Sequence, residues 1–301
     1  MDNASHHQTA PAPRYHGLSG RYAWRGIVMG LLLAAVSACS NTFIYNQLDW
    51  LIPWYLGDYV DLDRDQGRTL KSRLRDLLQW HRSEELTQYL VFLDEVETDL
   101  DSTLSGTDIE RWANRAEAAY DRLEARMLPI AFDLGAELTD EQMSGFLVEL
   151  AERQKALEKE YLQRSDAEYR EDAAESLTDT FEDLMGRLND LQQQEIAEAV
   201  GRLQRFDAGW LAERAQWLET LNGELQQRNQ GWQDRIRQAL ADRERNRTDS
   251  YRGAYRHNAL IVNQVIADVL NLRSPKQDAR LRDEIAGYRR DFRKLIAQGE
   301  G

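Results

Sequence analysis

Residues 138–150 read Leu-Thr-Asp-Glu-Gln-Met-Ser-Gly-Phe-Leu-Val-Glu-Leu, and this stretch shows how the chain is built. The Thr139 hydroxyl can accept a hydrogen bond from an unpaired amide at a helix N terminus, and Gln142 can reach back to the Thr139 amide. Apolar residues then recur at helical spacings, which places them on one face. They are Met143, Phe146, Leu147, Leu150, Leu157 and Tyr161. The stretch predicts a capped amphipathic helix that begins after Thr139.

Helix starts of this kind recur along the chain. Residues 188–192 and 274–277 again place a capping side chain three residues before a glutamine, and residues 107–110 form a further capping box. Apolar stripes fill the earlier part of the chain: Leu70, Leu74, Leu77 and Leu78, then Leu86, Leu90, Leu93 and Val96. No alternating run bounded by turn residues indicates a strand. The sequence therefore predicts an all-α fold, an elongated antiparallel multi-helix bundle.

Several helix boundaries can be predicted from breakers and charges. We expect a new helix to begin near Ser83, and the helix that starts at Thr107 to end near Met127, before Pro129. Pro53 should lie in the first turn of its helix. The charge run at residues 242–247 predicts a solvated turn.

The N-terminal region carries a different pattern. Basic residues precede a short apolar run at residues 26–38, which is followed by Cys39, the only cysteine of the chain. This is the layout of a secretion signal, and the run is shorter than the ~20 residues that cross a bilayer. Residues 36–39, Val-Ser-Ala-Cys, resemble a bacterial lipobox, in which the cysteine becomes a diacylglyceryl-modified N terminus. The resemblance implies cleavage between Ala38 and Cys39 and lipidation of Cys39.

Composition limits the classes of partner. The formal net charge is −14, and it becomes more negative if residues 1–38, with three arginines and one aspartate, are removed. Such a surface repels phosphate backbones and anionic headgroups, so we expect no nucleic-acid partner. Hydrophobic residues make up 42% of the chain, which predicts a folded core. With one cysteine, no disulfide can form within the chain, and stability must come from packing.

Aromatic residues are concentrated directly after Cys39. They are Phe43, Tyr45, Trp50, Trp54, Tyr55 and Tyr59. Trp50 and Trp54 recur at helical spacing, as do Leu51 and Tyr55, and this spacing favours packing against the helical body. The alternative is that Trp50, Trp54 and Tyr55 rest at a membrane interface beside the lipid, where amphipathic rings are favoured.

These segments also carry a family resemblance. Three segments resemble an uncharacterised family of proteobacterial lipoproteins with a domain of unknown function. They are residues 49–56 (Asp-Trp-Leu-Ile-Pro-Trp-Tyr-Leu), residues 58–63 (Asp-Tyr-Val-Asp-Leu-Asp), and Trp80-His81-Arg82 with Glu85-Leu86 and Tyr89. The resemblance implies export and lipidation and supplies no activity. We therefore divide the chain into a signal peptide (1–38), a lipid-anchored, aromatic-rich lead segment (39–62) and a helical domain (63–301).

A second, local resemblance concerns the helix starts. Leu138, Thr139 and Gln142 are similar to the Leu-Thr-x-x-Gln motif of small periplasmic helical chaperones, the Spy-like and CpxP-like proteins. In that family the motif lies in curved helical dimers that hold unfolded envelope proteins. The stretches at Asn189 and Ser274 fit less well. A capping box alone produces the same pattern, so helix capping is the preferred interpretation.

Residues for catalysis or metal binding are sparse. After cleavage only His81 and His257 remain, and His81, between Trp80 and Arg82, is expected to be structural. No metalloprotease, serine-hydrolase or phosphate-loop motif occurs. The spacing of Asp61, Asp63 and Asp65 resembles the start of a calcium-binding loop, but Gly67 and Ser72 do not fit the later positions of such a loop. We therefore interpret these acids as residues near a helix N terminus, where the helix dipole favours negative charge. We expect no cofactor and no metal.

Together these observations predict a lipoprotein of unknown biochemical role in the envelope of a Gram-negative bacterium. Ser40 after Cys39, instead of aspartate, resembles the pattern sent to the outer membrane, with the body facing the periplasm. The predicted partners are the membrane, through lipidated Cys39, and an envelope protein that is bound, chaperoned or maintained without catalysis. The alternative is a cell-wall-active hydrolase that uses helix-borne carboxylates.

Overall fold

The structure is a computed structural model that describes residues 41–299. The predicted signal peptide, the cleavage site at Ala38 and the lipidation site at Cys39 lie outside the described residues. Within residues 41–299 the chain is helical almost throughout and contains no strand. The predicted all-α fold class is confirmed.

The helices, numbered in chain order, are α1 (Asn41–Tyr45), α2 (Leu48–Leu56), α3 (Arg64–Trp80), α4 (Leu86–Asp99), α5 (Gly106–Glu137), α6 (Asp140–Gln163), α7 (Asp166–Met185), α8 (Asp190–Gly201), α9 (Asp207–Gln227), α10 (Trp232–Asp242), α11 (Asp249–Asn271) and α12 (Pro275–Gly299). A π-helical turn, His81–Glu85, joins α3 to α4.

The long helices pack as antiparallel neighbours, as predicted. On α3 and α5, Gln66 bonds to the Glu137 carbonyl at one end and Glu85 pairs with Arg122 further along. On α4 and α12, Arg289 lies beside Asp94, and Arg282 lies beside Asp101 just past the end of α4. In each pair, low residue numbers of one helix meet high numbers of the other.

Apolar side chains form several cores along the bundle. The largest core joins the start of α5 to α7, α8, α11 and α12, with Ile109, Phe181 and Val265 among its buried members. A second core joins the end of α5 to α6, α9 and α10. Between them, Leu123 in the middle of α5 packs against α3. With 32 residues and ~1.5 Å rise per residue, α5 reaches all three.

The predicted helix start at Ser83 is wrong, because the π-helical turn continues the helix from α3 into α4. The Ser83 hydroxyl donates to the Trp80 carbonyl at 3.2 Å and so serves the preceding turn instead of capping a new one. π-Helical turns widen a helix by one residue and are frequent at functional sites. Here the turn brings His81 and Glu85 into the protein interior.

Both prolines lie inside helices, contrary to prediction. Pro53 falls in the second half of α2, and Pro129 falls within α5, which runs on to Glu137. An interior proline costs about 3 kcal/mol. In α5 this cost is offset because Leu123 before the proline and Phe132 after it are both buried in cores. The N-cap of α5 is Ser105, two residues earlier than the predicted box.

The charge run at residues 242–247 is only partly solvated. Arg247 is buried and donates from Nε to a Glu213 carboxylate oxygen at 3.1 Å. Arg243 donates to the other oxygen of the same carboxylate at 2.8 Å. The run therefore ties the α10–α11 connection to α9, which the one-dimensional charge pattern does not indicate.

Candidate functional site

Four of the six aromatic side chains of the lead segment are exposed to solvent. Phe43 is 67% exposed, Trp50 53%, Trp54 65% and Tyr55 45%. These four residues are called the aromatic surface below. The stacked rings of Trp50 and Trp54 have centroids 6.3 Å apart. The predicted packing against the body is therefore wrong for Trp50 and Trp54, which form a continuous apolar surface of their own.

Helix geometry explains why these rings point outward. Each residue of a helix turns ~100°, so Trp50 and Trp54 lie on the face of α2 opposite Ile52. Ile52 and Leu56 pack against the leucines of α3. Tyr55 lies at the side of α2, where its hydroxyl is 3.2 Å from that of Tyr59. One face of α2 is thus used for folding, and the opposite face is available for contact.

Exposed large apolar residues elsewhere in the described chain are dispersed. They are Val91, Met127, Val148, Leu162, Leu191 and Leu260. They lie on α4, α5, α6, α8 and α11, and single exposed apolar residues of this kind are normal on protein surfaces. A contiguous exposed patch is unusual and indicates an interaction site. Within the aromatic surface, the stacked rings of Trp50 and Trp54 form such a patch.

Specific bonds hold the lead segment to the helical body. Tyr45 is buried, and its hydroxyl lies 2.9 Å from His81 Nδ1. The Asn46 side chain donates to Gln298 at 3.1 Å and accepts from Arg82 at 2.8 Å. Sequence analysis named Trp50, Trp54 and Tyr55 but missed Phe43 and the anchoring role of Tyr45. The aromatic surface is therefore fixed relative to α3 and α12.

His81 lies at the centre of a buried cluster on the π-helical turn. It is 4% exposed, and the Tyr45 and Tyr89 rings lie beside it. Its Nε2 is buried without a hydrogen-bond partner. One turn further, buried Glu85 accepts two hydrogen bonds from Arg122, at 2.6 and 2.8 Å. Burial lowers the pKa of His81 to about 4, with a smaller opposing effect from Glu85.

This cluster predicts a pH dependence of stability. The folded-state pKa of His81 lies below its unfolded value near 6.5. The stabilisation is therefore complete above pH ~6.5 and is lost as pH falls towards 4. This titration changes the free energy of unfolding by up to about 3 kcal/mol. Denaturant unfolding between pH 6.5 and pH 4 should show that the unfolding free energy falls more steeply for the wild type than for His81→Phe.

The exposed His257 supplies a control for the same measurement. The His257→Phe variant should retain the wild-type pH dependence, because its ring lies at the surface against the Arg202 carbonyl. Parallel pH profiles for the wild type and His81→Phe would show that His81 does not titrate with folding.

The glutamine of the Leu-Thr-x-x-Gln stretch caps its helix and also bonds to a second helix. Gln142 accepts from the Thr139 amide at 2.9 Å, which completes the capping box. Its Nε2 donates to the Asp61 carbonyl at 2.6 Å and to Gln66 Oε1 at 2.8 Å. Gln66, in the same position of α3, donates to the Glu137 carbonyl and to Gln142 Oε1, both at 3.0 Å. Two helix N termini are joined through paired amides.

A second pair of helix starts repeats the arrangement. Gln277 of α12 donates to the Arg187 carbonyl at 3.1 Å and to Gln192 Oε1 at 2.9 Å. Gln192 of α8 donates to the Val269 carbonyl at 3.0 Å. In both pairs the glutamine also caps its own helix. The Asp63–Gln66 start belongs to this set, and sequence analysis missed its pairing role because those acids had been compared with a calcium loop.

The pairing requires an amide at position 142. In Gln142→Glu the carboxylate still accepts from Thr139, but it cannot donate to Asp61 or to Gln66 and places a negative charge against both acceptors. We expect a loss of about 2 kcal/mol of unfolding free energy, measured by urea denaturation. Glu168→Gln is the control, because Glu168 caps α7 through the Ser165 amide. Equal destabilisation by both variants would contradict the pairing argument.

Carboxylates in the described cavities do not form an open acid pair. Asp133 and Glu137 line a crevice of about 10 Å³ between α3 and α5, which is room for about one water molecule. A larger, open hollow on α5 is lined by Thr107, Glu110, Arg111, Asn114 and Arg115, which include one carboxylate. Neither has two acids across a space that fits a sugar ring.

Residues 41–299 contain neither a metal-binding cluster nor a membrane-spanning helix. No group of three or more histidine, cysteine or acidic side chains is placed to hold a metal ion there. Asp63, from the calcium-like stretch, instead caps α3 by accepting from the Asp65 and Gln66 amides. Over the same residues, the structure has no helix long and apolar enough to cross a bilayer.

Comparison with known proteins finds one family. Residues 58–252 match a family of unknown function, DUF6279. No curated protein and no solved structure matches the chain. The matched region begins just after α2 and includes Gln66, Gln142 and Gln192, while the aromatic surface precedes it. The match covers more than half of the chain, and the protein therefore belongs to this uncharacterised family.

Proposed function

We propose that the protein is an envelope lipoprotein that is held by acylated Cys39 and rests its aromatic surface on the bilayer. The observation that carries the proposal is the position of that surface. It begins four residues after Cys39 in the sequence, and tryptophan and tyrosine favour the membrane–water interface. One acyl chain anchors a protein only marginally, whereas several make a stable anchor. Interfacial aromatic contacts would add to that anchor.

The contacts of the lead segment give the proposal a mechanical consequence. Tyr45 is hydrogen-bonded to His81, and Asn46 joins Gln298 at the end of α12. A bilayer contact at Trp50 and Trp54 therefore sets the orientation of the helical body. We propose that the anchor does more than tether the body, since it presents one side of the bundle to the periplasm.

The body is proposed to bind an envelope protein and not to catalyse a reaction. The narrow crevice beside Asp133 and Glu137 supports this role over that of a cell-wall hydrolase. The dispersed apolar residues on α4, α5, α6, α8 and α11 favour a folded partner over unfolded chaperone clients. Ser40, which follows Cys39, favours the outer membrane as the location.

The anchor is tested by intact mass and membrane fractionation. We expect the wild type to lack residues 1–38, to carry acyl chains and to sediment with membranes. Cys39→Ala should lose the acylated species, with the protein either unprocessed or released. Ser40→Ala, the adjacent control, should remain acylated. A soluble, unacylated wild type that retains residues 1–38 would refute the lipoprotein proposal.

The aromatic surface is tested by quenching tryptophan fluorescence with brominated phospholipids. In vesicles that contain the acylated protein, the lipid should quench the exposed rings of Trp50 and Trp54. The double variant Trp50→Phe/Trp54→Phe should lose most of this quenching. Trp112→Phe is the control, because this ring packs against the largest core and donates to Asp99 at 2.8 Å. A wild type without quenching would show that the aromatic surface does not touch the bilayer.

A further inference from the structure

Basic residues lie on both sides of the lead segment. The chain as a whole has a formal charge of −14. The last turns of α12 nevertheless expose Arg290, Arg293 and Lys294, and α3 adds Lys71 and Arg75. These five residues are called the basic surface below. The local charge is therefore opposite in sign to that of the whole protein.

Packing places the α12 part of the basic surface beside α1. Leu295 and Tyr45 are buried in the same small core. Asn46, directly after α1, donates to Gln298 at 3.1 Å. Arg293 and Lys294 come just before Leu295 in the chain, so they lie within one turn of the contact with α1. The C-terminal end of α12 thus lies on one side of the lead segment.

The α3 part of the basic surface lies beside α2. Asp49 accepts from Arg75 Nε at 3.0 Å, and Lys71 Nζ is 3.7 Å from the same oxygen. Trp50 follows Asp49 directly, and its ring points away from the body. Lys71 and Arg75 keep 40% and 65% of their side chains exposed. Cations therefore flank the aromatic surface at its other side.

The lead segment itself carries the exposed acids Asp58 and Asp61. Directly beside the five cations there are three acids, which leave a positive balance. Asp49 is shared by Lys71 and Arg75, Asp76 follows Arg75, and Asp291 lies between Arg290 and Arg293. The next basic residue towards the N terminus of α12, Arg289, is already paired with Asp94 and Glu97. Arg289 is therefore turned towards α4, whereas Arg290, Arg293 and Lys294 are exposed.

We propose that the basic surface binds the headgroups of anionic phospholipids in the bilayer on which the aromatic surface rests. This inference rests on the proposed function. Lysine and arginine close to an anionic membrane are attracted to it over about one Debye length, ~10 Å. The acidic remainder of the protein is repelled by the same membrane. The two effects together orient the bundle with the last turns of α12 and the Lys71 and Arg75 side of α3 towards the bilayer.

The test compares vesicles of phosphatidylcholine with vesicles that also contain phosphatidylglycerol. The acylated protein is reconstituted into both, and quenching of tryptophan by brominated lipid is measured. Quenching of the wild type should increase with phosphatidylglycerol and return to the phosphatidylcholine value at high salt. Arg290→Gln/Arg293→Gln/Lys294→Gln should lose most of this increase. The control Arg170→Gln/Arg256→Gln/Lys276→Gln removes the same charge from α7, α11 and the first turn of α12, and should retain it.

The outcomes separate this inference from the proposal on which it rests. Equal quenching of the wild type in both vesicles would overturn the headgroup contact and leave the aromatic contact standing. Loss of the increase in both triple variants would also overturn it, because the effect would then follow total charge. Absence of quenching in either lipid would overturn the aromatic contact itself. Thermal unfolding of both variants checks that the substitutions leave the fold intact.

Discussion

The constraint on which this structure depends is the satisfaction of helix N termini inside a bundle. Every helix begins with amide groups that have no partner within the helix, and a chain divided into many helices must supply partners repeatedly. At four of these starts the third residue is a glutamine that caps its own helix. Its second group, the amide nitrogen, then donates to a neighbouring helix. The same side chain thus gives a partner to an unpaired amide of its own helix and fixes the relative position of two helices.

These paired glutamines help to explain how a long helix such as α5 can be held along its length. Gln66 bonds to the carbonyl of Glu137, the last residue of α5, while Arg122 in the middle pairs with buried Glu85. Leu123 and Phe132 then pack into cores on either side of Pro129. The body is therefore tied at several levels, and the lead segment is attached to it through Tyr45 and Asn46. The proposed membrane contact of the lead segment would therefore set the orientation of the whole bundle.

Much of the fold could be predicted from the sequence because helix signals are local. Capping pairs and apolar spacing depend on neighbours within one or two turns, and they located the starts of α6, α8 and α12. The predicted helix boundaries were wrong where tertiary contacts outweighed the local sequence signals. Pro129 lies within a helix because both flanks are buried, and Ser83 does not start one because its hydroxyl bonds to Trp80. The prediction of a fully solvated turn at residues 242–247 was wrong because Glu213, which is distant in sequence, pairs with Arg243 and Arg247.

By itself, the sequence determined the helical class, the capped starts and the expectation of an anchor at Cys39, since each follows from residues close together in the chain. Only the tertiary structure decided which face of α2 is used. Trp50 and Ile52 are both large apolar residues, and the spacing alone could not say which would be covered. The leucines of α3 bury Ile52, while the helical turn directs Trp50 and Trp54 outward. The cations of α3 and α12 likewise flank the lead segment only because packing brings these two distant parts of the chain beside α2 and α1.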